Sequence, residues 1–512
     1  MQSESYARRL AKGSATVFVG LVVANVIAFL LRMFLTRTIS ITDYGIFYTV
    51  FGLVSIFTIF RGVSISSSLA KYIPEFVVKG QYGKIKSSIT LVLIVYTVSA
   101  FLIALPIFMF SDEISLALFN TAAAGLPLRI LSGWFFLSGF YLIFQAAFRG
   151  FQDAGAYASI EAFHMFFVFI STFLLVGFWG YGVEGVALAY LFASLAMILI
   201  FAPIFFKRHS RILKEKILIT RPLAKELFRY GIPIFIIGIW GLILGYMNTL
   251  MLAIFRSPIE VSYFQTAQPA ANILEFFSAA LGVVLLPMIS ELWTKGERGL
   301  LNQALHFLTK FSFLFVIPFV MIFIAFPENV LLMLFGPDYL AGAVALQVLA
   351  GSAIVYIIYR ILVNALFGVG KPGAVARTVG VMAGSNIVAN LLLIPTFGVN
   401  GAAAAVFLSY ALGLAMMLYY TRKFIKFTVP FGPLLKMAVG AVLTLLIIFG
   451  LKTALVLPPW PETVAVMMPS LLFYGAWVIA TKAITRSDLG LINRIVPMPK
   501  WLVRAIEKLV RS

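Results

Sequence analysis

Few side chains in this 512-residue chain could do chemistry, and they are widely spaced. Gln265, Gln268, Asn272 and Glu275 fall within about 80° of one another at 100° per residue, which makes one polar stripe on a helix. If that helix starts near residue 260, Glu275 lies roughly 22 Å along it at 1.5 Å per residue. A charge buried that deep in lipid costs roughly 2.5–3.5 kcal/mol on insertion scales, so it faces a partner or a wet cavity. The stripe therefore reads either as a cavity wall carrying an ion or proton site, or as a hydrogen-bonded seam between helices. Glu161 and His164 stand three apart on a face shared with Tyr157 and Ser171. They could share a proton, or satisfy each other locally near a membrane boundary. Arg32, Arg61 and Arg360 interrupt apolar runs near helix ends. Each can snorkel to the interface, or present its planar fork to an oxyanion. Tyr356-Arg360-Asn364 repeats the spacing of Tyr141-Gln145-Arg149, as if one polar face were used twice. Asn386 and Asn390, four apart, read as helix glue.

What is missing narrows the chemistry further. With no Cys there is no disulfide framework, no thiolate metal site and no Cys nucleophile. The three His (His164, His209, His306) are too far apart for a metal-ligand spacing, so no metal and no cofactor is expected. There is no Walker motif for intrinsic ATP hydrolysis. An ion such as H⁺ or Na⁺, taken up by an intramembrane acid, remains open as a coupling agent.

The elements that must position these residues follow from composition. Hydrophobic residues make up 62% and charged residues 11%, where a soluble protein carries about 25% charged. So few charges cannot cover a water-soluble globule, and disorder needs low hydrophobicity. The expectation is an all-α polytopic membrane protein, since backbone groups in lipid must bond within their own segment. Hydropathy and breakers give fourteen spans: 14–36, 44–68, 87–109, 130–148, 155–176, 185–206, 230–253, 263–290, 311–325, 341–367, 379–394, 401–421, 437–451 and 463–481. The first follows Arg8, Arg9 and Lys12 like a signal peptide, but it is too long for one and is read as a retained helix. Spans two and eight exceed what a bilayer needs and should tilt or protrude.

Charge sorts the topology. With the N-terminus inside, 32 of the 39 Lys and Arg fall on inside segments. Arg37, Arg129, Arg256 and Lys452 fall outside, and Arg32, Arg61 and Arg360 within spans. This positive-inside pattern places both termini in the cytoplasm. It also accounts for the net charge of +20 through anionic headgroups, with no nucleic acid required.

The chain repeats itself. Residues 79–83 (KGQYG) match 295–299 (KGERG), and 181–185 (YGVEG) match 397–401 (FGVNG), both at an offset of 216. Asp43 and Glu260 are offset by 217, Gly155-Ala156 and Gly373-Ala374 by 218. Four ordered matches at nearly one offset indicate duplication. An even number of spans per repeat makes the halves parallel, with a site expected between them. The expected organisation is a six-helix bundle (1–206), a basic cytoplasmic linker (207–229), a second six-helix bundle (230–421), two added helices (422–485) and an interfacial amphipathic tail (486–512).

Six plus six plus two helices with a parallel repeat resemble the MOP superfamily of flippases and exporters. The stretch TRTISITDYGIFYTVFGLVSIFTIFRGVSISSSLAKYIPEF, from Thr36 to Phe76, is similar to its polysaccharide (O-unit) flippase branch, as is FGVNGAAAA at 397–405. The resemblance implies a non-enzymatic transporter of the cell (cytoplasmic) membrane. It would move a polyprenyl phosphate- or pyrophosphate-linked oligosaccharide by alternating access, alongside membrane lipids and glycan-assembly enzymes. Arg61 and Arg360, and less directly Arg32, would then capture the lipid phosphate. Proton-coupled drug extruders of the superfamily often carry an acid in the first helix, where this chain has Asn25 and Arg32. Lipid II flippases place arginines in helices one, two and eight, and helix eight here has none. An ion-coupled drug or metabolite exporter is the alternative on the same fold. A membrane glycosyltransferase or ligase fits less well, because the outside loops are short.

Overall fold

The structure is a computed structural model that describes the backbone of residues 2–454 and 458–483, with side chains apart from those of 2–15, 63–64 and 276–287. The expected amphipathic tail, 486–512, lies outside the described residues. Every regular element among them is a helix. Eleven of these helices are long and apolar enough to cross a membrane. Many of their Leu, Phe, Val and Ile side chains are exposed. That is the outside-apolar surface expected of a chain whose solvent is lipid. The chain is thus a multi-pass membrane protein. It forms two compact units, one up to Gln265 and one from Thr266 onward.

In the first unit, Thr16–Thr38 packs on Ala154–Thr172, and Gly125–Gly150 packs on Tyr82–Met109 and Val183–Arg208. Arg221–Phe255 packs on Ile41–Phe57 and Ser66–Val78. Span two departs from the expected continuous helix over 44–68. It runs as Ile41–Phe57, breaks, makes a 3-10 turn over Arg61–Ser64, and resumes as Ser66–Val78. The cause is Gly62, whose φ of +76 lies in the left-handed region that side chains disfavour. Its freed N–H is taken by Ser99 Oγ at 2.8 Å. Arg61 sits at this break.

In the second unit, Ala343–Gly368 packs on Pro372–Ile425 and on Arg298–Ala325. Pro372–Ile425 covers the two spans expected at 379–394 and 401–421, and bends at Gly398 (φ 54, ψ −131). Phe431–Ala454 and Pro459–Ala480 pack on each other, with Trp477 Nε1 donating to the Lys436 carbonyl at 2.8 Å. Ile317, Met321, Met437, Tyr474 and Val478 bury themselves together between this pair and Arg298–Ala325. Pro258–Thr294 is 37 residues long, in line with the long eighth span.

The duplication is visible in backbone geometry. Tyr82–Met109 and Arg298–Ala325 are both 28 residues, offset by 216. Gly125–Gly150 and Ala343–Gly368 are both 26 residues, offset by 218. Gly80 and Gly296 end helices at positive φ with the same six-to-one bond, Gln81 N to Phe76 O at 2.8 Å and Glu297 N to Leu292 O at 3.0 Å. Gln152 and Gly370 do likewise, with Asp153 N to Phe148 O at 2.9 Å and Lys371 N to Leu366 O at 2.8 Å. These are glycine-type helix stops. Their recurrence means each half folds from one local plan.

Candidate functional site

Arg61 is held where span two breaks. Its guanidinium donates to the Phe135 carbonyl at 2.7 Å and to Ser138 Oγ at 2.6 Å, and it lies 5.2 Å from the Phe135 ring centre. Tyr96 closes the other side. Its hydroxyl donates to the Phe136 carbonyl at 2.7 Å and accepts from Gly139 N at 2.9 Å. Gly139 must lack a side chain, because a Cβ there would meet the Tyr96 ring at 1.9 Å. The result is a cavity of about 410 Å³ lined by Thr58, Arg61, Ser66, Tyr96, Leu142 and Gly238 among others. No ion pair among the described residues includes Arg61. A fork held by neutral acceptors beside a cavity keeps its charge available for an anion.

Arg32 does not snorkel. It turns inward and donates to both the main-chain oxygen and Oε1 of Gln265, each at 3.2 Å, with the Tyr48 ring centre 4.4 Å away. Gln265 is buried; its Nε2 donates to Thr249 Oγ1 at 2.7 Å, and its carbonyl also accepts from the Tyr44 hydroxyl at 3.3 Å. One arginine and one glutamine thus tie together Thr16–Thr38, Ile41–Phe57, Arg221–Phe255 and the start of Pro258–Thr294.

The Glu161–His164 proton pair does not form. Glu161 meets the Gln145 side chain instead. His164 is buried against Tyr141, ring centres 5.1 Å apart and stacked, and its Nε2 has no hydrogen-bond partner. Three-residue spacing puts the two on one face, but packing against Gly125–Gly150 sets Glu161 against Gln145 and His164 against Tyr141.

The second unit gathers Glu275, Arg360, Tyr356 and Tyr410. Glu275 and Arg360 interact electrostatically, and both act on Tyr356 and Tyr410. The Tyr356 ring centre is 4.8 Å from that of Tyr410 and 6.0 Å from the Arg360 guanidinium. Of the four residues of the expected stripe, all on Pro258–Thr294, Gln265 is buried, Gln268 and Glu275 are half-buried and Asn272 is exposed. Asn390 Nδ2 donates to Asn386 Oδ1 at 3.0 Å, both buried, which fits glue.

The 218-residue offset of the 26-residue helices corrects the expected match of Tyr356-Arg360-Asn364 with Tyr141-Gln145-Arg149, which are 215 apart. Arg360 corresponds to Leu142, Tyr356 to Ser138 and Tyr359 to Tyr141. The Asp43–Glu260 offset of 217 aligns Glu275 with Thr58. Thr58 and Leu142 line the Arg61 cavity and Ser138 holds Arg61. The charges of the second unit therefore stand at the positions that build the cavity of the first. Sequence reasoning missed Tyr44, Tyr48, Tyr96, Ser138, Thr249 and Tyr410. Only Tyr44 and Tyr48, four apart in the second span, carried a local signal.

A multi-pass helical bundle with an internal repeat and polar groups at matched places has the form of a membrane transporter. The family described as polysaccharide biosynthesis protein matches residues 10–293, and that described as lipid II flippase MurJ matches residues 164–474. Each covers more than half of the chain, and the chain belongs to the polysaccharide biosynthesis protein family. An uncharacterized membrane protein of Methanocaldococcus jannaschii is 30% identical over 436 residues, covering 82% of this chain and 86% of that protein. A probable low-salt glycan biosynthesis flippase of Haloferax volcanii is 25% identical over 445 residues, 87% of this chain and 90% of that protein. Among solved structures, the inward closed conformation of the lipid II flippase MurJ superposes with a TM-score of 0.72 at 16% identity, covering 90% of this chain and 98% of that one. An inward-facing multidrug resistance MATE family transporter of the MOP superfamily superposes with a TM-score of 0.62 at 14% identity, covering 78% and 98%. At these identities the likeness is one of fold. The MurJ family, the Haloferax protein and the MATE protein are each named for flipping or transport.

Proposed function

We propose that the chain is a flippase that carries a lipid-linked oligosaccharide, on a polyprenyl phosphate or pyrophosphate, across the cell membrane by alternating access. The observation that carries this reading is Arg61, a guanidinium held by a carbonyl and a hydroxyl beside a cavity of about 410 Å³, with no carboxylate partner among the described residues. Such a fork suits phosphate oxygens. The glycan flippase of Haloferax volcanii and the two matching families support the substrate class. Arg360 would serve in the second unit at the place of Leu142, and Arg32 would hold the Gln265 knot rather than meet substrate. Fourteen spans, inside termini and the six-plus-six-plus-two organisation complete the reading. Membrane lipids and glycan-assembly enzymes are its partners, and H⁺ or Na⁺ acting at Glu275 is the coupling candidate. Reporters fused at residues 120 and 335 should lie outside, and at 80, 215 and 430 inside; a reversal at any of them breaks the topology. Arg61→Ala should abolish flipping at unchanged membrane abundance, and Arg61→Lys should restore it only in part, because lysine lacks the fork. Full flipping in Arg61→Ala would remove the phosphate role.

A further inference from the structure

A second cavity in the first unit, of about 520 Å³, shares no lining residue with the Arg61 cavity. It runs between the start of Ala154–Thr172 and the end of Val183–Arg208. Gly155, Ser159, Phe163 and Phe167 follow one another at four-residue steps and so share one helix face, roughly 18 Å long at 1.5 Å per residue. Ile200, Phe201, Ile204 and Arg208 form the facing wall. One end is polar and the other apolar. At the polar end Asp153 caps its helix by accepting from Ala156 N at 3.1 Å, and its other oxygen accepts from Arg208. That bond uses one nitrogen of Arg208, whose side chain stays 53% exposed. The rest of the guanidinium is free to donate.

The surroundings say where an occupant comes from. Phe166, Phe173, Phe192, Leu195 and Leu199 on the same two helices are exposed apolar side chains. In a membrane protein that wall faces acyl chains. A cavity of ~300–1,000 Å³ with a few placed polar groups is of ligand-binding size. The duplication supplies a control within the chain. The positions matching Asp153, Ser159, Ile204 and Arg208 are Lys371, Arg377, Tyr420 and Phe424. There the Lys371 ammonium lies 5.1 Å from the Phe424 ring centre and the Arg377 guanidinium 5.8 Å from that of Tyr420. Cations set on rings there replace the first unit's ion pair and aliphatic wall.

We propose that this groove holds one glycerophospholipid of the bilayer, its phosphodiester on the open edge of Arg208 and one acyl chain along Phe163, Phe167 and Ile200. The site is separate from the Arg61 cavity and does not depend on what the protein transports. The test uses full-length, delipidated protein in detergent, titrated with dioleoylphosphatidylglycerol and read by native mass spectrometry. The wild type retains one lipid that Arg208→Ala holds about tenfold more weakly, or ~1.4 kcal/mol. Ile204→Tyr, which installs the second half's residue, loses it to a similar extent. Asp153→Asn breaks the ion pair but keeps the guanidinium, and retains the lipid. Unchanged retention in both Arg208→Ala and Ile204→Tyr overturns the site. Equal loss in Asp153→Asn overturns the phosphate contact in favour of a structural ion pair, as does equal binding of dioleoylglycerol, which lacks the phosphate. Preferential retention of undecaprenyl phosphate overturns the assignment to a bilayer phospholipid.

Discussion

Arg32 and Gln265, 233 residues apart, are joined by two hydrogen bonds from one guanidinium nitrogen, to the main-chain and side-chain oxygens of the glutamine. Gln265→Leu leaves Arg32 only the main-chain oxygen, removes its side-chain acceptor and strands the buried Thr249 hydroxyl that Gln265 Nε2 met. A buried group left unpaired costs about 1–3 kcal/mol. The variant should melt earlier in detergent, and Gln265→Glu, which offers Arg32 a carboxylate, should recover part of the loss. A double-mutant cycle of Arg32→Leu with Gln265→Leu should give a coupling of at least ~0.5 kcal/mol. Strict additivity would mean that the knot contributes nothing.

The break in span two rests on Gly62. Alanine at φ +76 costs about 1–2 kcal/mol in the left-handed region. Gly62→Ala should therefore lower the melting temperature, or straighten the span and pull Arg61 from Ser138. In either case transport falls at equal membrane abundance. Wild-type stability together with wild-type transport in Gly62→Ala would contradict a required break.

Much of this architecture was legible in the residues themselves. Apolar runs of span length come from the lipid each segment meets, so they survive in the sequence. Gly80 and Gly296 were legible as members of a repeated segment, 79–83 against 295–299, and the structure shows why both are glycine: each takes a left-handed φ. Gly62 was not, since one glycine inside the apolar run FTIFRGVSIS reads as tolerated in a helix. The match of Arg360 with Leu142 was hidden by the change of offset from 216 to 218 between helices, and a leucine gives no polar signal. Tyr410 is one of 20 tyrosines, and only packing sets it against Tyr356. His164 and Glu161 had a sound spacing, but tertiary neighbours took both.

His209 follows the last turn of Val183–Arg208 and stacks on Phe151, ring centres 3.8 Å apart. Burial pushes its pKa below the usual histidine value; Asp153 favours the proton and Arg208 opposes it. A folded pKa below the unfolded one means that the unfolded chain binds more protons as pH falls. The stabilising contribution is therefore complete above about pH 6.5 and lost as pH falls through the lowered folded value. The melting temperature should drop on acidification, by on the order of 1 °C for a partly exposed group in a large protein. His209→Phe, which keeps a ring on Phe151, should lose that part of the pH dependence. An identical pH profile in the variant would exclude His209 as its source.

Glu275, beside Arg360 and Tyr410, is the acid placed to take up an ion. Glu275→Gln should leave the fold and substrate binding intact while removing the dependence of transport on an imposed pH or Na⁺ gradient. Glu161→Gln, whose partner is Gln145, should have a smaller effect. Unchanged gradient dependence in Glu275→Gln would rule out coupling at this residue and leave it a hydrogen-bonding role, which glutamine can fill.

The most direct measurement is leaflet exchange of the substrate itself. Purified protein is reconstituted into liposomes carrying a fluorescent short oligosaccharide on polyprenyl pyrophosphate, and exposure of the label to an added membrane-impermeant quencher is followed over time. The account predicts exchange well above that of protein-free liposomes, reduced to background by Arg61→Ala and partly restored in Arg61→Lys. Background exchange by the wild type, in vesicles where the same protein moves a cationic drug, would contradict it and identify an exporter instead.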